Sequence, residues 1–361
     1  MKKTVYNFNA GPSILPAEVF QQASEAILNF NDSGLSILEI GHRTEMFQQV
    51  MDEAVGLVKE LMSLDSEHEV LFLHGGASTQ FFQVPMNLLN ENELAAYTDT
   101  GIWSAKAIKE AKLFGHVEVV CSSKASTYNY IPKEFTVPKT AKYLHLTSNN
   151  TIYGTQWQDF QSFYDAGVPL VADMSSDILS RDLDFNRFGL IYAGAQKNVG
   201  AAGVNLVVIN RKTLGKIDRK IPSMMDYQNH IDNGSMLNTP PVFAVYVCLL
   251  TLRWLKKIGG VKVAEINNRK KAGLLYETID AFPIFKGTVA REDRSFMNAC
   301  FVMPDADLEK KFATVCKENN MIGIKGHRTS GGFRISLYNA MPFESVQALT
   351  NLMKDFAEKH S

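Results

Sequence analysis

The sequence predicts an α/β protein: a large domain with a mainly parallel sheet sandwiched by helices, and a small α+β C-terminal domain. Three observations carry this. Apolar runs of strand length recur from Val70 to Ile209, and helical patterns separate several of them. Beyond about Pro283 the order simplifies to one strand, a helix, a strand and a helix. At 361 residues the chain is long enough for about two domains.

In order, Phe8 to Pro16 reads as a loop, with Gly11-Pro12 as its turn signal, and helical periodicity follows from Leu15 to Phe30. A polar passage carrying Gly41-His42-Arg43 leads to a second amphipathic helix, Glu45 to Met62, with Phe47, Val50, Met51, Val55, Val58 and Leu61 at helical spacing. The strand-like runs are Val70–Leu73, Leu94–Tyr97, Val117–Val120, Tyr143–Leu146, Val168–Ala172, Leu190–Ala193 and Val204–Ile209. Helices are expected over Gln80–Leu89, Ser104–Leu113 and Trp157–Tyr164. Thr239 followed by Pro240 predicts an N-cap and first helical residue for a helix ending near Lys257, before Gly259-Gly260. Val261 to Phe282 reads as a long helix bridging to the second domain. There, strands over Met297–Met303 and Gly332–Leu337 alternate with helices over Leu308–Asn319 and Phe343–Lys359.

Hydrophobic residues make up 45% and charged residues 21%, as in ordinary soluble globular proteins. With 37 basic against 38 acidic residues, a formal charge of -1 speaks for neither a nucleic-acid nor a membrane-surface partner. The apolar run from Val242 to Leu252 stops at Arg253, too short for a bilayer span, and the start, MKKTVYNFNAGPS, has no apolar core of a signal peptide. Cys121, Cys248, Cys300 and Cys316 are scattered without metal-site spacing, so no metal is expected and a reducing cytoplasm is the natural compartment.

Four features suggest chemistry. Lys197 lies between a strand-like run and glycines; a lysine in a dry pocket has a lowered pKa and forms Schiff bases, whereas a loop lysine would simply reach water. Asp173 closes a wholly apolar strand, where a carboxylate seeks a cationic partner or caps the next turn. The run His74-Gly75-Gly76-Ala77-Ser78-Thr79 joins a strand to a helix, a geometry that cups phosphate through free N–H groups or serves as a plain turn. Lys325 to Arg334 places His327, Arg328 and Arg334 among glycines, suited to an anionic ligand or to solvent. Trp103 and Thr151 follow two other strands, at the edge where α/β sheets bind ligands. One cofactor uses a lysine, a carboxylate, a phosphate cup and a flat ring together: pyridoxal phosphate.

The segments FNAGPSILP, IGHRT, TGIWS, SNNTIYGTQW, VADMSSD, YAGAQKNVG, NTPP, RSFMN and GHRTSGGFRISLYNA, with HGGAS, carry an end-to-end resemblance to the phosphoserine aminotransferase family. These are fold-type-I, class-V pyridoxal-phosphate enzymes. The resemblance implies a seven-stranded type of sheet in a large domain over 16–258, with 1–15 and 259–361 forming the small domain. It implies that Lys197 carries the cofactor, Asp173 pairs with its ring nitrogen, Trp103 stacks on the ring and Thr151 contacts its phenolic oxygen. Ala77, Ser78 and Gln196 would hold the phosphate, helped by Asn238 and Thr239 from the second subunit of a homodimer with shared active sites. Some members have Gly-Arg where this chain has Ala77-Ser78, so no arginine charge is available there. Arg334 would bind the α-carboxylate, and His42, Arg43, His327 and Arg328 the distal anion.

The implied reaction is ping-pong: glutamate gives up its amino group and leaves as 2-oxoglutarate, and 3-phosphohydroxypyruvate takes the group to become O-phosphoserine. The freed Lys197 amine would serve as general base on Cα–H. Serine biosynthesis is the implied pathway, and a related phosphorylated oxo-acid of pyridoxine biosynthesis is a further substrate of the family. The alternatives are another fold-type-I enzyme, such as an alanine–glyoxylate aminotransferase or a cysteine desulfurase. None of the four cysteines looks suited to the latter.

Overall fold

The structure, a computed structural model, describes residues 4–215 and 217–360. Lys2 and Lys3 of the leading segment, and the outermost ends of the expected small domain, lie outside the described residues. The strands are β1 (Tyr6–Asn7), β2 (His68–His74), β3 (Leu94–Asp99), β4 (His116–Ser122), β5 (Ala141–Thr147), β6 (Leu170–Asp173), β7 (Leu190–Gly194), β8 (Val204–Asn210), β9 (Lys286–Gly287), β10 (Asn298–Val302), β11 (Met321–Ile322) and β12 (Phe333–Ser336). The helices are α1 (Ala17–Leu28), α2 (Glu45–Leu61), α3 (Ala77–Leu88), α4 (Ile102–Ala111), α5 (Gln161–Asp165), α6 (Tyr227–Asp232), α7 (Val242–Lys257), α8 (Gly260–Ala281), α9 (Ala306–Glu318) and α10 (Phe343–His360).

Seven strands form one sheet in the order β2-β8-β7-β6-β5-β3-β4. Its strands run parallel except β8, which is antiparallel to both β2 and β7. The middle strands are buried on both faces, which is why they read as continuous apolar runs rather than alternating ones. Register then fixes the site: Thr147 pairs with Asp173, Asp173 with Tyr192, and Gly194 with Asn205. The carboxyl ends of β5, β6 and β7 therefore finish at one edge of the sheet.

Apolar side chains gather into separate clusters. A large one joins α1, α2 and α7 to one face of the sheet, and another packs α3 and α4 on the opposite face. A third is built on Phe285, Phe301, Phe312, Phe333 and Phe356, and the N-terminal Phe8 belongs to it. The N-terminal strand β1 pairs in parallel with β11, far along the chain, while β9, β10 and β12 make a small antiparallel sheet. Helix α8 is a bridge: Val261 and Ala264 of its first turns lie in the large cluster, and Ala272, Leu275 and Ile279 in the Phe8 cluster.

Four element boundaries differ from the sequence reading. The helix expected at Gln80 begins at Ala77, directly after Gly76. The one expected at Ser104 begins at Ile102, because the Ser104 hydroxyl accepts from the Thr100 and Gly101 amides at 3.0 and 2.9 Å and organises the turn ahead of it. The helix expected over Trp157–Tyr164 is only Gln161–Asp165: Thr155 and Gln156 are drawn into extended bridges with Arg294 and Asn149, and the Trp157 amide, donating to the Ser148 carbonyl at 2.9 Å, continues that extended run. Thr239 caps nothing. Helix α7 starts at Val242 with Pro241 in the capping position, since a residue preceding proline is pushed out of the helical region and Pro240 cannot open the first turn.

Candidate active site

Lys197, Asp173, Trp103, Thr151, Gln196, Ala77 and Ser78 all line one cavity at the carboxyl edge of the sheet. Asp173 ends β6, and Lys197 follows β7 after a short turn. Lys197 Nζ donates to Thr151 Oγ1 at 2.9 Å. Removal from water lowers its pKa to about 8, Asp173 and Asp177 opposing that fall and Arg334 adding to it. Its backbone is pinned from the N-terminal segment: Ser13 Oγ donates to the Lys197 carbonyl, and the Ser13 amide to the Gln196 carbonyl at 3.0 Å. Gly11, at φ +153°, lies against the lysine side chain; a Cβ there would sit 3.4 Å from Lys197 Cγ.

Two carboxylates are buried here, and their bonding separates them. Asp177 accepts from Ser148, from Gln156 Nε2 at 3.1 Å and from Arg181 Nη2 at 3.1 Å, so its charge is committed to structure. Asp173 accepts from the amide and hydroxyl of Ser175, at 2.9 and 2.6 Å, through Oδ1 alone. Burial raises its pKa; the Ser175 hydrogen bonds and the Lys197 charge counter that. Its Oδ2 has no hydrogen-bond partner among the described residues, and no ion pair joins it to Lys197.

The glycine turn after β2 is built to open helix α3 toward the cavity. Gly75 takes φ +98°, and Asn205 Nδ2 holds the turn through Gly76 O at 2.9 Å and Thr79 Oγ1 at 2.8 Å. Gly76 caps α3 without a side-chain hydrogen bond, so the first-turn N–H groups at Ala77 and Ser78 are left for a ligand. Gln196 folds back over Gly194, where a Cβ would fall 2.7 Å from its Oε1, and that oxygen is buried without a partner. Trp103 stands in the first turn of α4 with a buried, unpartnered indole N–H.

This set fits pyridoxal phosphate: free helix amides for the phosphate, a half-bonded carboxylate for the pyridinium, a flat indole and a desolvated amine. Among the described residues no cluster of His, Cys, Asp or Glu could hold a metal ion, and no helix is long and apolar enough to cross a membrane.

Arg334, on β12, donates from Nη1 to the Thr151 carbonyl at 3.4 Å, which brings it beside the lysine. His327 lies near Arg334 and Arg328; its pKa is lowered, by burial first and then by those charges and Lys106. His42 and Arg43 are not joined to this group by any hydrogen bond or ion pair among the described residues. Asn238 and Thr239 do not line the cavity of their own chain; the Thr239 carbonyl accepts instead from His74 Nε2 at 2.7 Å.

The sequence reading overlooked Ser175, Asn205, Ser13 and Lys106. Ser175 was within reach, because serine two residues after a strand-end aspartate commonly returns a hydrogen bond. Lys106 was too, being one helical turn beyond Trp103. Nothing local marks Asn205 or Ser13, whose partners are distant in sequence. All four cysteines are free thiols pushed up to about 12 by burial, which unsuits them as nucleophiles.

The whole chain is similar to known aminotransferases. The sequence profile of "Aminotransferase class-V" matches residues 5–349. A phosphoserine aminotransferase of Flavobacterium johnsoniae is 55% identical over 360 residues, covering 99% of this chain and 100% of that protein. The solved phosphoserine aminotransferase of Bacillus circulans subsp. alkalophilus superposes with a TM-score of 0.96 at 43% identity, covering 99% of both chains. The pyridoxal-phosphate-bound enzyme of Trichomonas vaginalis gives 0.92 at 35% identity, over 97% of this chain and 100% of the other. The chain belongs to the class-V aminotransferase family, among its phosphoserine aminotransferases.

Proposed function

We propose that this protein moves the amino group of glutamate to 3-phosphohydroxypyruvate, giving 2-oxoglutarate and O-phosphoserine, and so serves serine biosynthesis. One observation carries the reading: a desolvated lysine that forms no ion pair among the described residues shares a cavity with a half-bonded buried aspartate, and Arg334 reaches the Thr151 carbonyl beside it. Similarity to phosphoserine aminotransferases over the whole chain favours it over the alanine–glyoxylate or desulfurase alternatives.

Pyridoxal phosphate, when bound, supplies the carbonyl that carries the amino group between substrates and an electron-poor ring that stabilises charge at Cα. Ala77 and Ser78 receive its phosphate on backbone N–H groups, with Gln196 beside them. Asp173 would face the ring nitrogen, where its carboxylate would favour the protonated form of the ring. Trp103 would cover the ring and exclude water, and Thr151 would meet its phenolic oxygen. Lys197 would hold the cofactor, and its amine, partly neutral near physiological pH, would serve as the base for the Cα proton. Arg334 grips the α-carboxylate in a fork that leaves Cα–H facing Lys197. His327 and Arg328 bind the distal anion, carboxylate or phosphate.

The remaining donors point to a shared site in a homodimer. Asn238, Thr239, His42 and Arg43 are not in their own chain's cavity, and we assign them to that of a second copy. We divide the chain into a large domain at 16–258 and a small one comprising 1–15 and 259–361, on the strength of the separate apolar clusters and the β1–β11 pairing. The free thiols suit the cytoplasm. The pyridoxine-pathway oxo-acid, 4-phosphohydroxythreonine's precursor, presents the same distal phosphate and is proposed as a second acceptor. The test is a visible spectrum of the purified protein, its change on adding glutamate, and acceptor assays with phosphohydroxypyruvate, pyruvate and glyoxylate. Equal use of the three acceptors would remove the phospho-substrate assignment.

A further inference from the structure

The cationic group around His327 contains a member that the reading above leaves without a task. Lys106 lies one turn after Trp103 on α4, so both side chains share a helix face. Its Nζ rests 4.4 Å from the centroid of the Trp103 ring. The residue is exposed and makes no hydrogen bond or ion pair among the described residues. Arg334, Arg328 and Lys106 are the charged groups acting on His327, and all are positive. A mouth lined by one sign of charge holds an anion once a ligand arrives and draws it in beforehand.

We propose that Lys106 is a specificity-determining residue, which leaves the Trp103 ring to bind the terminal phosphate of the oxo-acid and contributes little to the carboxylate of glutamate. This rests on the function proposed above. The two substrates differ at their far ends: glutamate presents a single negative charge, and a phosphate monoester carries about −1.5 to −2 near neutral pH. An additional ammonium group gains more from the second. Lysine suits the task because its head group is a compact charge on a flexible stem that swings between partners, which a planar guanidinium does less readily. The resting contact with Trp103 is an exposed cation–π pair, weak enough to be exchanged for a charge-assisted hydrogen bond.

The ping-pong scheme lets each substrate be tested by itself. In single-turnover experiments on the holoenzyme, Lys106→Ala is expected to lower kcat/KM for O-phosphoserine by about tenfold, the size of one hydrogen bond to a charged group. The value for glutamate should stay within about twofold, in keeping with a weak, screened contact. Lys106→Arg should restore most of the loss. Inhibition by inorganic phosphate should weaken in parallel, a readout that does not depend on turnover of the variant. Equal losses with both substrates overturn the proposal, because Lys106 would then only brace Trp103. Unchanged constants for phosphoserine and for phosphate inhibition overturn it too. Wild-type protein that does not turn over phosphoserine would overturn both readings, and this is seen before any variant is made.

Discussion

Lys197 and Asp173 line one cavity, yet the lysine donates its hydrogen bond to Thr151 and forms no ion pair with the aspartate. The aspartate's field still reaches it, holding up a pKa that burial pulls down to about 8. An amine so placed is partly neutral near physiological pH without having lost its charge altogether. In protein stripped of cofactor, acylation of Lys197 should therefore rise with a midpoint near pH 8, well below the ordinary 10.5 of a lysine in water. Peptide mass spectrometry after timed labelling reads this directly. Asp173→Asn should move the midpoint lower still, since it removes the charge that favours the ammonium form. A midpoint near that of surface lysines would contradict the desolvated site.

Ser175 opposes the effect of burial on the Asp173 carboxyl. Burial pushes this carboxyl up and prevails, while the Ser175 hydroxyl, the Lys197 charge and the Ser175 amide oppose it. Removing the hydroxyl in Ser175→Ala leaves burial less opposed, so the carboxylate is lost at higher pH as the solution is acidified. The acidic limb of the kcat/KM profile should shift upward while the plateau changes little. Asp173→Asn removes the charge at every pH and should depress kcat by about 10²-fold, as loss of one preorganised electrostatic group does elsewhere. An acidic limb that does not move in Ser175→Ala would mean that another group controls it.

Lys271 is a second buried lysine, 2% exposed, with no carboxylate beside it. Its ammonium donates to the carbonyls of Leu337 and Tyr338 at 2.9 and 2.7 Å, and burial lowers its pKa to about 7 from the ordinary 10.5. Below pH 7 it is protonated both folded and unfolded, so its contribution to stability is constant. Between about 7 and 10.5 the unfolded chain holds more protons, and stability attributable to Lys271 rises with pH. The stability of the native sequence relative to Lys271→Met should climb over that window, by at most about 1.4 kcal/mol per pH unit. Urea unfolding of both proteins from pH 6 to pH 10 measures it. A flat difference would show that the folded protein keeps the lysine charged.

Much of this site is legible in the chain itself, because buried parallel strands write themselves as apolar runs and the groups at their ends stand out. Asp173 and Lys197 were visible for that reason, and so was the glycine turn at Gly75. What the sequence hides depends on partners far away in it. Aromatic spacing from Trp157 to Tyr164 looks helical, but bridges to Asn149 and Arg294 hold the chain leading into it extended. Thr239 has the chemistry of a cap, and the second proline of the pair moves the helix start past it. The N-terminal FNAGPS stretch looks like a bare loop, and only tertiary packing brings it against the lysine.

That packing makes the N-terminal segment part of the site. Tyr338 OH donates to the Ala10 carbonyl at 2.8 Å, and Ser13 bonds to both Gln196 and Lys197 through their carbonyls. Between these anchors Gly11 adopts φ +153°, which side-chain-bearing residues rarely take, with its α-carbon facing the lysine stem. Gly11→Ala must either strain the backbone or lift the segment off Lys197, at a cost of about 1–3 kcal/mol. The loss should fall on the site rather than on the fold, because no apolar cluster is cut. Visible titration with pyridoxal phosphate should show weaker binding by roughly tenfold or more, given that about 1.4 kcal/mol corresponds to each factor of ten. Ser13→Ala, which removes one hydroxyl and leaves the backbone bond, should have a smaller effect in the same direction. Far-UV circular dichroism should be unchanged in both. Cofactor affinity equal to that of the native sequence in Gly11→Ala would mean that Lys197 is positioned by its own strand and turn alone.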